Sequence, residues 1–543
     1  MSFQPSKYQK EVFSWMESAK PGSSLVVMAG PGTGKTTTLT QASLKIDNPK
    51  DAIFVAFNKH IAEELSQKLP RGMQARTLHS LGFEAVREAA TMSGRKPPKI
   101  DGYLHGKLAK EWLTENNYKL DLDRERWFEV LGEIKELINL CQLCLIDPYD
   151  EDAVWDGIDH YGLEIRTLEP AIDGVRDVLS RIKRESKKVI SYNEMIWLPI
   201  IDNLPIKKYG AVLADESQDF NFLQQTFVKK LRKQDGYSVF IGDEHQAIYG
   251  FAFASTNGMR ELATDTKADI LPLSICYRCP TSHVALANEI YPGLEARPSA
   301  PDGDERHVYD FDVSEIIQPG DLVICRVNAP LIPLCFSLIK DGINAQIKGR
   351  DIGKQLIKDL KAIDKKHYID WLNPKEAFKA YLNAQAAIIS GLFDEDEAAA
   401  KVERLTDKID CLGAIWDGSQ CDSVGCMERT IENLFSDKEA TIWLSTIHKA
   451  KGLEADNVFI LKPSVMPHPM AKRSWEKVQE ANMKYIALTR AMETLYFCWE
   501  EDEDGRPADE EMYRPDGLDS HHEGVTISVQ AEVVTEQLPL LTA

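Results

Sequence analysis

Eight residues, Ala29-Gly30-Pro31-Gly32-Thr33-Gly34-Lys35-Thr36, follow directly on the apolar run Ser24-Leu25-Val26-Val27-Met28. A strand, a glycine-rich turn and a helix start in that order leave the chain few ways to fold. Gly30, Gly32 and Gly34 let backbone N–H groups curl around an anion, because no Cβ blocks positive φ or close approach. Lys35 supplies a mobile charge for β- and γ-phosphates, and the Thr36 hydroxyl can ligand Mg²⁺. The helix expected from about Thr36 points its positive dipole end at those phosphates. The segment from Ala29 to Thr36 therefore implies a nucleoside triphosphate with Mg²⁺, held on an α/β sheet.

A chain of 543 residues is too long for one core, and three or four folding units are expected. Apolar residues make up 43% and charged residues 27%, as in ordinary soluble proteins. No apolar run is long enough to span a bilayer, and Met1-Ser2-Phe3-Gln4 starts no signal peptide. A cytoplasmic chain with no membrane partner and with reduced thiols is the expectation. Three of the cysteine pairs are closely spaced: Cys141/Cys144, Cys276/Cys279 and Cys421/Cys426. The first lies in an apolar helical stretch and reads as buried thiols. Without histidines at finger spacing, none reads as a zinc site.

The net charge of −21 argues at first against a polyanionic partner. Much of that charge is local, in acidic runs at residues 394–397 and 500–511. Phosphate binding depends on the charge of a groove, so the total excludes nothing.

Short apolar strands alternate with helical patterns through residue 82, with strands at 25–28 and 52–57 and a helix at 61–69. Residues 84–188 are helical, with Trp112, Trp127, Leu131, Ile134 and Leu137 at core spacing. Strands return at 211–214 and 237–241, and a further α/β block is expected from about Ile270 through 322–325. Residues 355–438 are again helical, and the last strands fall at 441–444, 458–461 and 495–498. Two α/β blocks, each interrupted by a helical insertion, are the reading. Their boundaries are placed at 1–83 with 191–273, insertion 84–190, then 274–355 with 439–500, insertion 356–438, and an acidic tail at 501–543.

Val212-Leu213-Ala214-Asp215-Glu216 is a buried strand ending in two carboxylates. After a P-loop, Asp215 completes a Mg²⁺ shell with Thr36 and Glu216 polarises the attacking water. In Gly242-Asp243-Glu244-His245-Gln246-Ala247-Ile248-Tyr249-Gly250-Phe251, Gln246 is placed to sense the γ-phosphate and Phe251 to stack a base, with Asp243 coupling the two. Cys276-Tyr277-Arg278-Cys279 sets an aromatic beside an arginine. Ser445-Thr446-Ile447-His448-Lys449-Ala450-Lys451-Gly452-Leu453-Glu454 and Leu488-Thr489-Arg490-Ala491 bracket the end of the second block.

In that order these motifs resemble the UvrD/Rep family of superfamily 1A DNA helicases, from Gln9 to about Phe497. Phe57-Asn58-Lys59-His60-Ile61-Ala62 and Thr77-Leu78-His79-Ser80-Leu81-Gly82 are closest in style to the F-box helicase branch, without an F-box. The resemblance implies two RecA-like domains that close on ATP and Mg²⁺. It implies that Gln9 reads the adenine edge, Tyr277 stacks on the base and Glu454 touches the ribose. Arg278 and Arg490 become arginine fingers, while Phe57, Asn58, His79, Phe251 and His448 line a single-strand path. Two departures stand out. Ala252-Phe253 replaces the family's Arg-Gly after the stacking aromatic, and Glu480-Ala481-Asn482-Met483-Lys484 replaces its Arg-rich helix.

The resemblance further implies a DNA-dependent ATPase moving 3′→5′ on single-stranded DNA and 3′-tailed duplexes, in replication, recombination or repair. An alternative is a motor that strips proteins, such as recombinase filaments, with weak unwinding; the short second insertion fits weak unassisted unwinding. A bacterial or phage-infected cell, at the nucleoid, is the expected setting. At the tail, Gln537-Leu538-Pro539-Leu540-Leu541 resembles the peptide by which replication proteins dock on a sliding clamp. Its leucines suit an apolar groove, Gln537 suits the rim, and the acidic stretch before it suits a tether.

Overall fold

The computed structural model describes residues 3–500, apart from 121, 164, 393–394, 436–439 and 470. The tail, with Gln537, Leu538, Leu540 and Leu541, lies outside the described residues, as does Asp394. Among the described residues no helix is long and apolar enough to cross a membrane. The chain divides into two compact units, with the break after Ser274.

The first unit carries β1 (Ser24–Ala29), β2 (Ala52–Val55), β3 (Gln74–Arg76), the two-residue β4 (Lys99–Ile100) and β5 (Val189–Ile190), then β6 (Tyr209–Ala214), β7 (Arg232–Gly242) and β8 (Asp269–Leu273). Six of them form one parallel sheet in the order β3-β2-β6-β7-β1-β8. The strand at Ile270, expected to open a new block, is instead the edge of this first sheet. Its Ile270 stands opposite Val26 of β1. A single extended run does not say which sheet it joins, and the pairing partner here lies far back in the chain.

Both faces of the sheet are covered, and the side-chain alternation feeds two separate cores. Leu25, Val27, Phe54, Leu213 and Ile241 point to one side, against Val12 and Met16 of α1 (Lys7–Glu17) and Leu39 of α2 (Lys35–Ser43). Val26, Ile53, Val55, Val212 and Phe240 point to the other. After the short α3 (Lys59–Leu65), α4 (Leu78–Met92) covers that second face and runs unbroken through the expected boundary at 83.

Four further helices, α5 (Leu104–Leu120), α6 (Arg124–Leu143), α7 (Glu151–Tyr161) and α8 (Leu168–Glu185), extend the same core rather than forming a separate one. Trp112, Ile134 and Leu137 are buried in it, and Trp127 and Leu131 pack against it. The chain returns to the sheet through α9 (Tyr192–Ile201). Here α4 and α9 cross so closely that a Cβ on Gly82 would lie 2.2 Å from the Met195 carbonyl oxygen.

The second unit opens with β9 (Ile275–Cys276), paired in parallel with β10 (Glu295–Ala296). Its main sheet contains β11 (Asp304–Tyr309), β12 (Leu322–Cys325), β13 (Ala345–Ile347), β14 (Ile442–Thr446), β15 (Ala455–Leu461) and β16 (Ala491–Trp499). All pair in parallel, in the order β11-β16-β15-β12-β14-β13. Between β13 and β14 run four helices, Arg350–His367, Pro374–Leu392, Glu395–Ser419 and Val424–Leu434. Their Leu356, Leu360, Phe378, Leu412 and Ile431 share one core with Val323, Leu444 and Phe459 of the sheet.

Cys421 and Cys426 are joined by a disulfide, against the expectation of reduced thiols throughout. The bend into the Val424–Leu434 helix brings their Cα atoms to 5.5 Å, inside the bridging range. Cys141 and Cys144 remain thiols, and burial pushes both up to about 12.

Gly82→Ala separates two opposing effects. Helix propensity alone would stabilise the variant by about 1 kcal/mol. Overpacking against a rigid backbone carbonyl costs about 1–3 kcal/mol. The expected outcome is a net loss in urea unfolding, and a gain would show that the α4–α9 crossing relaxes freely.

Candidate nucleotide site and nucleic-acid face

Parallel strands put all their C-terminal ends on one edge, and each of the first unit's motifs leaves the sheet there. At the end of β1, Gly32 and Gly34 take φ of 64° and 77°, left-handed values that favour glycine. Thr33 Oγ1 donates to the Gly30 carbonyl at 2.9 Å, closing the loop. Thr38 donates to the Gly34 carbonyl through both N–H (2.7 Å) and hydroxyl (2.8 Å), fixing the first turn of α2.

Gln9 is buried at 2% exposure and already engaged. Its Oε1 accepts the Ser6 N–H in the capping box of α1, and its Nε2 donates to Thr38 Oγ1 at 3.0 Å. It ties α1 to the P-loop helix, leaving one amide proton for a base edge.

From the end of β6, Asp215 Oδ2 accepts the Thr36 hydroxyl at 2.5 Å. Burial, then the neighbouring Glu216 carboxylate, pushes Asp215 above the usual carboxylate range, and Thr36 and Lys35 pull the other way. A hydroxyl and a buried carboxylate in contact are hard oxygen donors of the kind Mg²⁺ takes, so the residues present fit that ion. Glu216 sits at φ 49°, a left-handed conformation that turns the chain sharply after the strand.

Sequence reasoning passed over Gln218. It is 1% exposed, its Nε2 donates to Glu216 Oε2 at 2.5 Å, and its Oε1 accepts the Asp243 N–H at 3.0 Å. Gly242 makes room for it, since a Cβ there would lie 2.4 Å from Gln218 Oε1. Asp243 in turn accepts from Gln246 Nε2 at 2.6 Å. One chain of hydrogen bonds thus links Glu216, Gln218, Asp243 and Gln246.

Just beyond Gln246 the surface becomes aromatic. Tyr249 stacks on Phe57 at 6.1 Å with the rings 18° apart, and meets Phe251 edge-on at 5.8 Å. Phe57 and Phe251 are 44% and 66% exposed, so two predicted DNA-facing rings share a cluster through Tyr249, which the sequence reading did not single out. Asn58 accepts the Ile61 N–H and caps α3, with its NH₂ group left over. His79 stands in the first turn of α4, held neutral by burial.

Phe253, in place of the glycine expected from the resemblance, adopts a left-handed backbone at φ 63°. That conformation costs about 1–2 kcal/mol outside glycine. The ring is 7% exposed and packs on Tyr161 of α7 at 4.9 Å, and burying a Phe is worth about 1.5–3 kcal/mol. The departure therefore anchors this loop to the helical layer.

In the second unit the expected phosphate ligands are held by protein groups. Arg278 pairs with Glu454 at 2.5 Å and donates through Nη1 to the Thr489 carbonyl at 3.2 Å. Arg490, 1% exposed, donates to the carbonyls of Ile486 (2.9 Å) and Leu453 (3.3 Å) and to the Thr489 hydroxyl (3.2 Å). Tyr277 is 38% exposed beside them.

Glu480, on the helix that lacks the family's arginines, forms a two-pronged ion pair with Arg326 at 2.7–3.1 Å. Burial, then the Arg326 charge, holds His448 down at about 4, so its ring is neutral at pH 7.

A P-loop and a strand-end carboxylate on one parallel sheet, with a second parallel-sheet unit after it, define a RecA-like nucleotide-binding protein. The UvrD/REP helicase N-terminal domain matches residues 12–267 and the UvrD-like helicase C-terminal domain matches residues 426–502, and the chain belongs to the UvrD/Rep helicase family. It is 26% identical over 518 residues to F-box DNA helicase protein 1 of Schizosaccharomyces pombe, covering 88% of this chain and 55% of that protein. It is 25% identical over 603 residues to ATP-dependent DNA helicase PcrA of Staphylococcus aureus, covering 87% and 80%. A 24% match to a probable DNA helicase II homolog of Mycoplasma pneumoniae covers 52% of this chain and 42% of the relative. The chain thus spans about half the length of the yeast and mycoplasmal relatives.

The half-buried His448 gives a pH dependence with a definite sign. A histidine lowered from 6.5 to about 4 stabilises the fold fully above its unfolded pKa, and that contribution is lost as pH falls from 6.5 towards 4. The loss reaches about 3 kcal/mol at 1.36 kcal/mol per unit. Denaturant unfolding should show wild type losing more stability than His448→Gln over this range. Parallel losses would contradict the neutral, half-buried ring.

Proposed function

We propose that the chain is an ATP-dependent helicase and translocase moving 3′→5′ on single-stranded DNA. The observation that carries the reading is the hydrogen-bonded line from Glu216 through Gln218 and Asp243 to Gln246, on the same loop as the Tyr249–Phe251 aromatics. A change of state at the γ-phosphate can pass along it to rings on which bases stack.

In this reading Lys35 and the P-loop amides hold the phosphates, and Thr36 and Asp215 hold Mg²⁺, which neutralises phosphate charge. Glu216 accepts the proton of the attacking water, with Gln218 setting its orientation. Gln9 contacts the adenine, Tyr277 stacks on it and Glu454 contacts the ribose. Arg278 and Arg490 leave their carbonyl and carboxylate partners to stabilise the γ-phosphate. Phe57, Asn58, His79, Phe251 and the neutral His448 line the strand.

DNA-stimulated ATPase tests this directly. Lys35→Ala and Glu216→Gln should abolish turnover, and Arg278→Ala and Arg490→Ala should lower it by about 10³–10⁵. Phe251→Ala should weaken single-strand binding by about 1–3 kcal/mol with ATP affinity unchanged. Unwinding of 3′-tailed but not 5′-tailed duplexes fixes polarity, and a recombinase-filament clearing assay alongside shows whether protein displacement is the stronger activity. Wild-type turnover in any of the four ATPase variants would overturn the assignment.

The tail peptide adds a partner to the proposal, a sliding clamp engaged through Gln537, Leu538, Leu540 and Leu541. Truncation after Gly524 should leave ATPase intact and abolish clamp binding by calorimetry. No binding by the full chain at tens of micromolar would remove the clamp from the proposal.

A further inference from the structure

Tyr277 and Arg278 are bracketed by two thiols, and those thiols are built into the hydrogen bonds that hold the arginines. Cys276 Sγ, at the end of β9, accepts the Cys279 N–H at 3.3 Å, so the loop is already folded back on that sulfur. Cys279 Sγ donates to the Thr489 carbonyl at 3.6 Å, the same oxygen that accepts from Arg278. Thr489 also receives Arg490 through its hydroxyl. One residue therefore carries Cys279, Arg278 and Arg490 together. Both cysteines are buried, at 0% and 1% exposure, beneath the partly exposed Tyr277.

We propose that Cys276 and Cys279 are an oxidation site, forming a disulfide with hydrogen peroxide that switches off the Tyr277–Arg278 loop. This rests on the nucleotide role given to that loop above. When the Cys279 S–H turns from the Thr489 carbonyl to Cys276, that hydrogen bond, the N–H groups of Cys279 and Arg278 and the Arg278 charge hold Cys276 below the ordinary thiol range, against its burial. Cys276 is thus the nucleophile. Its thiolate attacks one peroxide oxygen, the O–O bond breaks, and hydroxide leaves and takes up a proton as water. Cys279 then attacks the resulting sulfenic sulfur, the S–S bond forms and the S–O bond breaks. The second water departs with the Cys279 proton.

The new bond removes the Cys279 S–H from the Thr489 carbonyl and draws the loop towards β9. With the loop held against β9, Arg278 no longer swings from the Thr489 carbonyl to a phosphate. At 0% and 1% exposure the two sulfurs are out of reach of a bulky oxidant such as glutathione disulfide.

The test uses the full chain, reduced and then treated with peroxide. A linked 276–279 peptide should appear by non-reducing mass spectrometry, and DNA-stimulated ATPase should fall by about 10³-fold or more, the scale given for Arg278→Ala. Dithiothreitol should restore it. Cys276→Ser, Cys276→Ala and Cys279→Ser should keep their turnover under peroxide, while Cys421→Ser should still lose it. Glutathione disulfide should give neither bond nor inhibition.

A linked peptide without loss of turnover, inhibition that persists in the Cys276 and Cys279 variants, or no linked peptide would each overturn the proposal. A reduced chain with no ATPase would overturn the functional reading instead, and the linked peptide would still decide the thiol chemistry.

Discussion

Asp215 is a carboxylate with 3% exposure, and its placement is the constraint around which the first unit is arranged. A buried charge is costly unless paired and hydrogen-bonded, and here burial and Glu216 both disfavour the ionised form. Thr36 and Lys35, in the first turn of α2, oppose them together with the Glu216 N–H. The strand order places β7 between β6 and β1, so the carboxylate and the P-loop face each other across one intervening strand. At about 4.8 Å per strand the gap is about 10 Å at the backbone, a span that side chains and a bound phosphate can fill. The intervening strand ends in Asp243, also pushed up by burial. Two buried acids beside a single lysine make a pocket that a cation-bound polyphosphate completes electrostatically.

The same strand order also separates chemistry from the aromatic face. β2 and β3, whose loops carry Phe57, Asn58 and His79, lie on the far side of β6 from the P-loop. The groups that link the two sides are Gln218 and the segment after β7. Gln218 spends both ends of its amide on this task, one on Glu216 and one on the Asp243 backbone. Phe253 fixes the far end of the segment by burying its ring against Tyr161. The loop is therefore pinned at both ends, with Gln246, Tyr249 and Phe251 between the pins.

What the sequence disclosed follows from how far each signal reaches along the chain. The P-loop, the Asp215 strand end and most strand positions are local patterns, and each formed within a few residues of where the pattern placed it. Ile270 has an equally clear local pattern, but sheet membership depends on a partner about 240 residues away in β1. Gln218 carries no local sign of its role, because the backbone of Asp243 meets it only after β6 and β7 pair. Tyr249 became a site candidate only when Phe57 arrived from β2. The Cys421–Cys426 bond depended on the bend before a helix, which spacing alone does not specify.

The departures from the family pattern prove to be internally balanced. Glu480 replaces positive charge with negative on a helix of the second unit, and Arg326, from just after β12, supplies the opposite charge in a two-pronged pair. Glu480 also accepts the His468 N–H at 2.9 Å, so the acid fixes a loop as well as an arginine. A buried pair of this kind contributes little net stability, yet removing one member leaves the other unpaired at a cost of about 3–5 kcal/mol. Desolvation first, and then the Arg326 charge, lower His448 and keep it neutral.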